Sequence, residues 1–239
     1  MVKFRYYLFG ILTVLLMLLN PVETGASRVI PEPMSVRDHT AEQAKSIRKV
    51  LFIGDSMTGW MAERLNAYGA ANGFEVATIV WDGSTIRKWG GNQRLKQIIA
   101  GHNPDAVFIS LGLNELYMTN PQATLNTQIN NILSAVGNRG LLWIGPPSWP
   151  GKQIGRKMDA WLADRVGEGR YFSSLNLKIP RQSRTNPHPT RAGIITWMDE
   201  VIEWIPHNTD LKFRSLNKPA DRSMSRGKTY IYKRMRETL

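Results

Sequence analysis

The chain has no cysteine in 239 residues, which excludes disulfides, thiolate metal sites and a lipid anchor on an N-terminal cysteine. Acidic residues are scarce, 19 against 31 Lys and Arg, so the formal net charge is +12. No recognisable nucleic-acid-binding motif accompanies that charge, and nucleic acid is not expected as a partner. The apolar run from Tyr6 to Leu19 falls short of the ~20 residues that span a bilayer as a helix. Lys3 and Arg5 precede it, Pro21 breaks it, and Thr24-Gly25-Ala26 places small residues where a signal peptidase cuts. Residues 1–26 are therefore expected to be a secretory signal peptide, with an uncleaved membrane anchor as the alternative. An exported chain without disulfides suits a bacterial periplasm or cell surface better than a eukaryotic secretory route.

About 213 residues follow such a leader, enough for one domain with its own core. Residues 27–47 are polar, contain Pro31 and Pro33, and read as an N-terminal arm with one short helix near Ala41 to Ile47. From 48 to 206, short apolar runs alternate with helical spacing. Strands are expected at Val50–Ile53, Phe74–Trp81, Ala106–Leu111, Leu141–Ile144 and Tyr171–Phe172. Between them, Met61/Leu65/Tyr68, Leu95/Ile98/Ile99, Leu125/Ile129/Ile132/Leu133/Val136 and Met158/Trp161/Leu162/Val166 mark helices. The clearest helix is last, with Ile194, Trp197, Met198, Val201, Ile202 and Ile205 on one stripe. This alternation predicts an α/β fold, a parallel sheet covered by helices on both faces. From His207 onward there are nine Lys and Arg against three Asp and Glu, and residues 207–239 read as a solvated basic tail. Such a tail can also meet an anionic surface.

In a parallel sheet of this kind, ligands bind beyond the carboxyl ends of the strands. Those ends carry Asp55-Ser56, Gly83-Ser84, Asn114-Glu115 and Pro146 to Gly151. Ser56 stands on a strand-to-helix turn, where its hydroxyl points out of the sheet and its N–H lies near a helix N-terminus. The plain alternative is that Asp55 or Ser56 only caps the helix. A nucleophilic serine needs a base. His39 lies in the arm, His102 at the opposite sheet edge and His207 beyond the last helix. His188, immediately before that helix, is the candidate base. Backbone N–H groups of Ser56 and Gly83 and the amide of Asn114 are candidate oxyanion donors.

Gly-Asp-Ser after the first strand, Gly83 after the second, Gly-x-Asn after the third and His-Pro before the last helix resemble the SGNH/GDSL hydrolases. The resemblance spans roughly Lys49 to Pro206. It implies a three-layer α/β/α sandwich with a flavodoxin-like parallel sheet, and acyl-ester hydrolysis or transfer without metal or cofactor. It also implies Ser56 as nucleophile, His188 as proton shuttle, and Ser56, Gly83 and Asn114 as the oxyanion hole. Two positions depart from the pattern. Thr185 stands where an aspartate usually orients the histidine, and Glu115 follows Asn114 where an aspartate is usual. In the serine-protease template, loss of that carboxylate costs roughly 10⁴ in rate. An orienting partner is then expected either from a backbone carbonyl within 184–186 or from a distant acid, Glu115 or Asp82.

The expected substrate is a small ester or an acylated glycan, above all a carbohydrate O-acetyl group. Trp81, Trp89 and Trp149 lie near the active edge, and aromatic faces suit sugar rings. Trp149 and Asp55 are the candidate substrate contacts. Lipid esters fit less well, because no long apolar lid segment follows the leader. The competing reading is an inactive scaffold protein of the cell envelope that kept the fold, with the changed residue at 185 in its favour.

Overall fold

Apolar runs of four to six residues build one parallel sheet in the computed structural model, which describes residues 46–149, 154–183, 185–186 and 188–232. Its strands are β1 (Lys49–Gly54), β2 (Glu75–Val80), β3 (Ala106–Ser110), β4 (Gly140–Ile144), the two-residue β5 (Tyr171–Phe172) and β6 (Lys228–Ile231). They lie in the order β5-β4-β3-β1-β2-β6, every pairing parallel. The first five follow the flavodoxin-like order. The chain reverses its direction of travel across the sheet between β1 and β3, which is where such folds open a crevice.

Residue parity sorts the core into two layers. Val50, Phe52, Phe108, Leu142 and Ile144 face α1 (Ser56–Asn72) and α6 (Arg191–Asn208). Leu51, Ile53, Val107, Ile109 and Trp143 face the other layer. That layer holds α2 (Ile86–Gly90), α3 (Leu95–His102), α4 (Pro121–Val136) and α5 (Arg156–Val166). Each fully buried aliphatic side chain contributes roughly 1.5–3 kcal/mol. A one-residue slip would turn every one of them to the wrong layer, so this pattern fixes the register. Helices α2, α4 and α6 begin at side-chain caps: Thr85 on Lys88 N–H, Asn120 on Ala123 N–H with Pro121 next, and Thr190 on Gly193 N–H.

The five predicted strands are present, β2 one residue shorter at each end than its apolar run. The differences lie toward the chain's ends. The expected signal peptide and most of the expected arm fall outside the described residues. Ile47, expected in a short helix, instead bridges Phe213 in parallel, and its N–H donates to the Lys212 carbonyl at 2.7 Å. The last helix runs on through Pro206 to Asn208. The basic segment beyond it folds back over the domain. Phe213 packs against Phe74 at 5.0 Å between ring centroids, and Lys228–Ile231 add the sixth strand beside β2. Its apolar residues are few and spaced among exposed charges, which is why the sequence reads as a solvated extension there.

Candidate active site

Gly54 ends β1 because a Cβ there would collide with the Ser110 carbonyl of β3 and the Thr58 hydroxyl. Asp55 follows in extended backbone and caps α1, its Oδ1 accepting the Met57 N–H at 2.9 Å. Asp55 thus takes the capping role, and half-buried Ser56 is the first helical residue. At the adjacent turn, exposed Gly83 has φ 62°, a left-handed backbone that glycine enters without steric cost. Asn114, in a short 3-10 turn at Leu113–Glu115 after β3, donates its amide to the Ser84 carbonyl at 2.7 Å. The same nitrogen reaches Asp55 Oδ2 at a longer 3.4 Å. One side chain therefore ties together the loops after β1, β2 and β3.

His188 reaches this edge from the loop before α6. An antiparallel bridge, Arg181 to Pro189, and the Gln182 N–H on the His188 carbonyl at 2.9 Å close that loop. Arg181 Nη2 also donates to the Ser148 carbonyl at 3.1 Å, fastening the loop to the one after β4. His188 Nε2 lies 3.1 Å from Ser56 Oγ. Its Nδ1 lies 2.7 Å from Asn186 Oδ1, which also accepts the His188 backbone N–H at 3.1 Å. Asn186 Nδ2 in turn donates to Gln182 Oε1 at 2.7 Å. A hydroxyl within hydrogen-bond reach of an imidazole nitrogen is the pairing that general-base activation of a serine requires.

No protein-family model matches the sequence, and no curated protein matches it. Solved structures do. The family 3 carbohydrate esterase of Clostridium thermocellum superposes with a TM-score of 0.50 at 18% identity, over 66% of this chain and 94% of that one. The chain has the SGNH hydrolase fold. A G-D-S-L-family lipolytic protein from Desulfitobacterium hafniense DCB-2 gives 0.47 at 16% identity, over 64% of this chain and 97% of its own. TesA gives 0.48 at 18%, over 64% and 96%.

Several candidates from the sequence stand elsewhere than expected. Glu115 is not the partner of His188: its buried carboxylate accepts the Ile86 and Arg87 N–H groups at 2.8 and 3.2 Å and so caps α2. Asp82 is exposed in the turn after β2, and the ring's Nδ1 meets Asn186 instead. Thr185 turns to Ser183, 3.2 Å between hydroxyls. Asp55 is only 1% exposed and spends its carboxylate inside the protein, so it offers no surface to a substrate. Trp89 is fully buried, and Tyr232 stacks on Trp81 at 4.5 Å. Trp149 is half-buried against the α1/α6 core. His102 lines a cavity of about 550 Å³ at the opposite edge, with Lys49, Glu75 and Lys228.

Trp60 was not singled out in the sequence, yet it is 44% exposed with its ring centroid 6.2 Å from that of His188. Its signal is the spacing, four residues after Ser56 and so on the same helix face. Asn186 enters the sequence reading only through its backbone carbonyl, whereas its side-chain oxygen makes the contact with Nδ1, two residues before the histidine and not at the familiar third.

The site is electrostatically tense on its buried side. Burial, above all, pushes the Asp55 carboxyl up to about 7; the Met57 N–H opposes this, and the charges of Glu115 and Asp82 add to it. Burial likewise raises Glu115, against the two N–H groups it accepts. Carboxylates crowded beneath a cleft are characteristic of functional sites more than of structural cores.

Proposed function

We propose that the chain is an exported acyl-ester hydrolase, or a transferase of the same chemistry, that removes acetyl groups from carbohydrate hydroxyls. The contact between Ser56 Oγ and His188 Nε2 at 3.1 Å carries the reading. Ser56 Oγ attacks the acyl carbon while its proton passes to His188 Nε2, giving a tetrahedral oxyanion. The backbone N–H groups of Ser56 and Gly83 are the proposed donors to that oxygen, and the Asn114 amide joins them by giving up its long 3.4 Å contact with Asp55 Oδ2. Collapse expels the sugar alkoxide, which takes the proton from His188 and leaves an acetyl-serine. Water, deprotonated by the same nitrogen, then releases acetate, whereas a second hydroxyl in its place gives transfer. The esterase fold and the exposed Trp60 beside His188 support a carbohydrate acceptor. The leader at residues 1–26 supports action outside the cytoplasm.

Acetate release from acetylated glycans and from aryl acetates tests this, wild type against Ser56→Ala and His188→Ala. Both variants are expected to fold normally and lose turnover. Undiminished release by folded Ser56→Ala would return the chain to the scaffold reading.

A further inference from the structure

We propose that Asn186 is the third, uncharged member of the Ser56–His188 relay, a positioning residue that fixes the tautomer of the ring and is itself braced by Gln182. The proposal rests on the acyl-ester reading above, and its geometry stands apart from any known substrate.

Hydrogen-bond logic assigns each atom. The His188 backbone N–H can only donate, so the Asn186 atom 3.1 Å from it must be the amide oxygen. The opposite end of the amide is then nitrogen, and it donates to Gln182 Oε1 at 2.7 Å. The oxygen that takes the peptide N–H also faces His188 Nδ1 at 2.7 Å. An acceptor at that distance demands a proton on Nδ1, and a neutral imidazole then leaves Nε2 as its acceptor. That lone pair faces the Ser56 hydroxyl at 3.1 Å, the arrangement a general base needs.

The ~10⁴ cost of replacing aspartate by asparagine in the serine-protease template comes from the wrong tautomer. There the amide is free to present its NH₂ end. Here the backbone N–H of His188 itself selects the oxygen end, and Gln182 accepts from the other end. Thr185 at the family's usual position is thereby no loss, because the acceptor has moved one residue toward the histidine. What a neutral amide does not supply is charge to stabilise the imidazolium. Among the described residues, the charged groups on the elements around the ring include Asp55 at the head of α1, Glu63 further along it, Arg181 beside Pro189 and Arg191 in the first turn of α6. None of these makes the Nδ1 contact.

The test follows the whole chain by NMR of the His188 ring nitrogens and by the pH profile of aryl acetate hydrolysis. The wild type is expected to hold its proton on Nδ1. Asn186→Ala is expected to move the ring toward the Nε2–H tautomer and to lower kcat about 10²-fold with KM little changed. Asn186→Asp, whose carboxylate keeps the acceptor while Gln182 turns its amide to donate, should retain the tautomer and most of kcat. Its acid limb should move up by about one pH unit, because the carboxylate favours imidazolium. Gln182→Ala should fall between wild type and Asn186→Ala. An Asn186→Ala protein with unchanged tautomer, kcat and pH profile overturns the proposal. So does an Asn186→Asp protein as impaired as the alanine variant. Should the alanine variant not fold, Asn186→Asp alone decides, by the presence or absence of the shifted limb and the Nδ1 proton. If Ser56→Ala hydrolyses as fast as wild type, the ester reading fails, and the ring tautomer still judges Asn186.

Discussion

Trp60 sits one helical turn beyond Ser56, with 44% of its surface in solvent. Its ring centroid lies 6.2 Å from that of His188, and a flat indole face matches the apolar face of a sugar ring. Trp60→Ala should raise KM for an acetylated oligosaccharide about 2- to 10-fold. kcat should be preserved, and a small ester such as ethyl acetate should be handled as before. Equal effects on both substrates would make the tryptophan a prop for His188 and not a sugar platform. At this scale the sequence was legible where a residue type is chemically rare: four histidines left His188 by elimination, and it meets Ser56. It was opaque where the residue is common. Asn186 is one of many asparagines, and only the distance of its oxygen from a ring nitrogen sets it apart.

The helices α1 and α6 are clasped by a polar network inside an apolar layer. Arg64, fully buried, holds Asp199 with Nε and Nη2 at 2.8 and 3.1 Å. Its Nη1 donates to the Ala220 and Ser223 carbonyls at 2.9 and 2.8 Å. Tyr68 and Lys218 complete the shell around Asp199 at 2.9 and 3.0 Å. A charge so enclosed is unfavourable alone and tolerable only with every donor used. Arg64→Ala leaves a carboxylate and two carbonyls short of partners. It should destabilise the fold by about 3 kcal/mol, the low end for a broken buried pair because Tyr68 and Lys218 remain. Urea unfolding measures this, and a loss under ~1 kcal/mol would mean that water replaces the guanidinium. The same clasp explains why helices were legible and the segment after them was not. A helix announces itself through the period of its apolar face. Residues 209–227 are held in part through their own carbonyls, those of Ala220 and Ser223 on Arg64 and of Asn217 on Asn72, which carry no trace of side-chain identity.

Two carboxyls, Asp55 buried and Asp199 half-buried, make the stability of the whole molecule depend on pH with opposite signs. Burial alone would raise Asp199, but Arg64, Lys218 and Tyr68 outweigh it and hold that carboxyl below its ordinary range. Its contribution is complete above about pH 4, where the unfolded carboxyl is also ionised, and is lost as pH falls through the lowered folded value. Asp55 behaves the other way. Between about pH 4 and 7 the unfolded chain gives up this proton while the folded protein, with Asp55 pushed up to about 7, keeps it. Stability therefore declines across that interval and levels off above it. Asp55→Asn keeps the cap on Met57 and removes the buried charge. Denaturation should find it no more stable than wild type near pH 4. By pH 8 it should be more stable by up to roughly 4 kcal/mol. A constant difference across pH would show that Asp55 does not titrate in this range. As to the whole fold, the alternation of apolar runs was enough to give the parallel sheet and both helical layers. The sixth strand escaped because Lys228 and Thr229 are exposed at a sheet edge, where no apolar run is required.

That sixth strand also sets a timetable. β6 pairs with β2 across about 150 residues of intervening chain, whereas β1 pairs with β2 across about 26. The loop-closure cost of so distant a pairing is met only after the rest of the sheet exists to receive it. During synthesis, β2 is thus an open edge until the residues around Tyr230 emerge, and Trp81 stays uncovered until Tyr232 reaches it. The last strand to be made is the one that covers β2 and becomes the sheet's edge in its place.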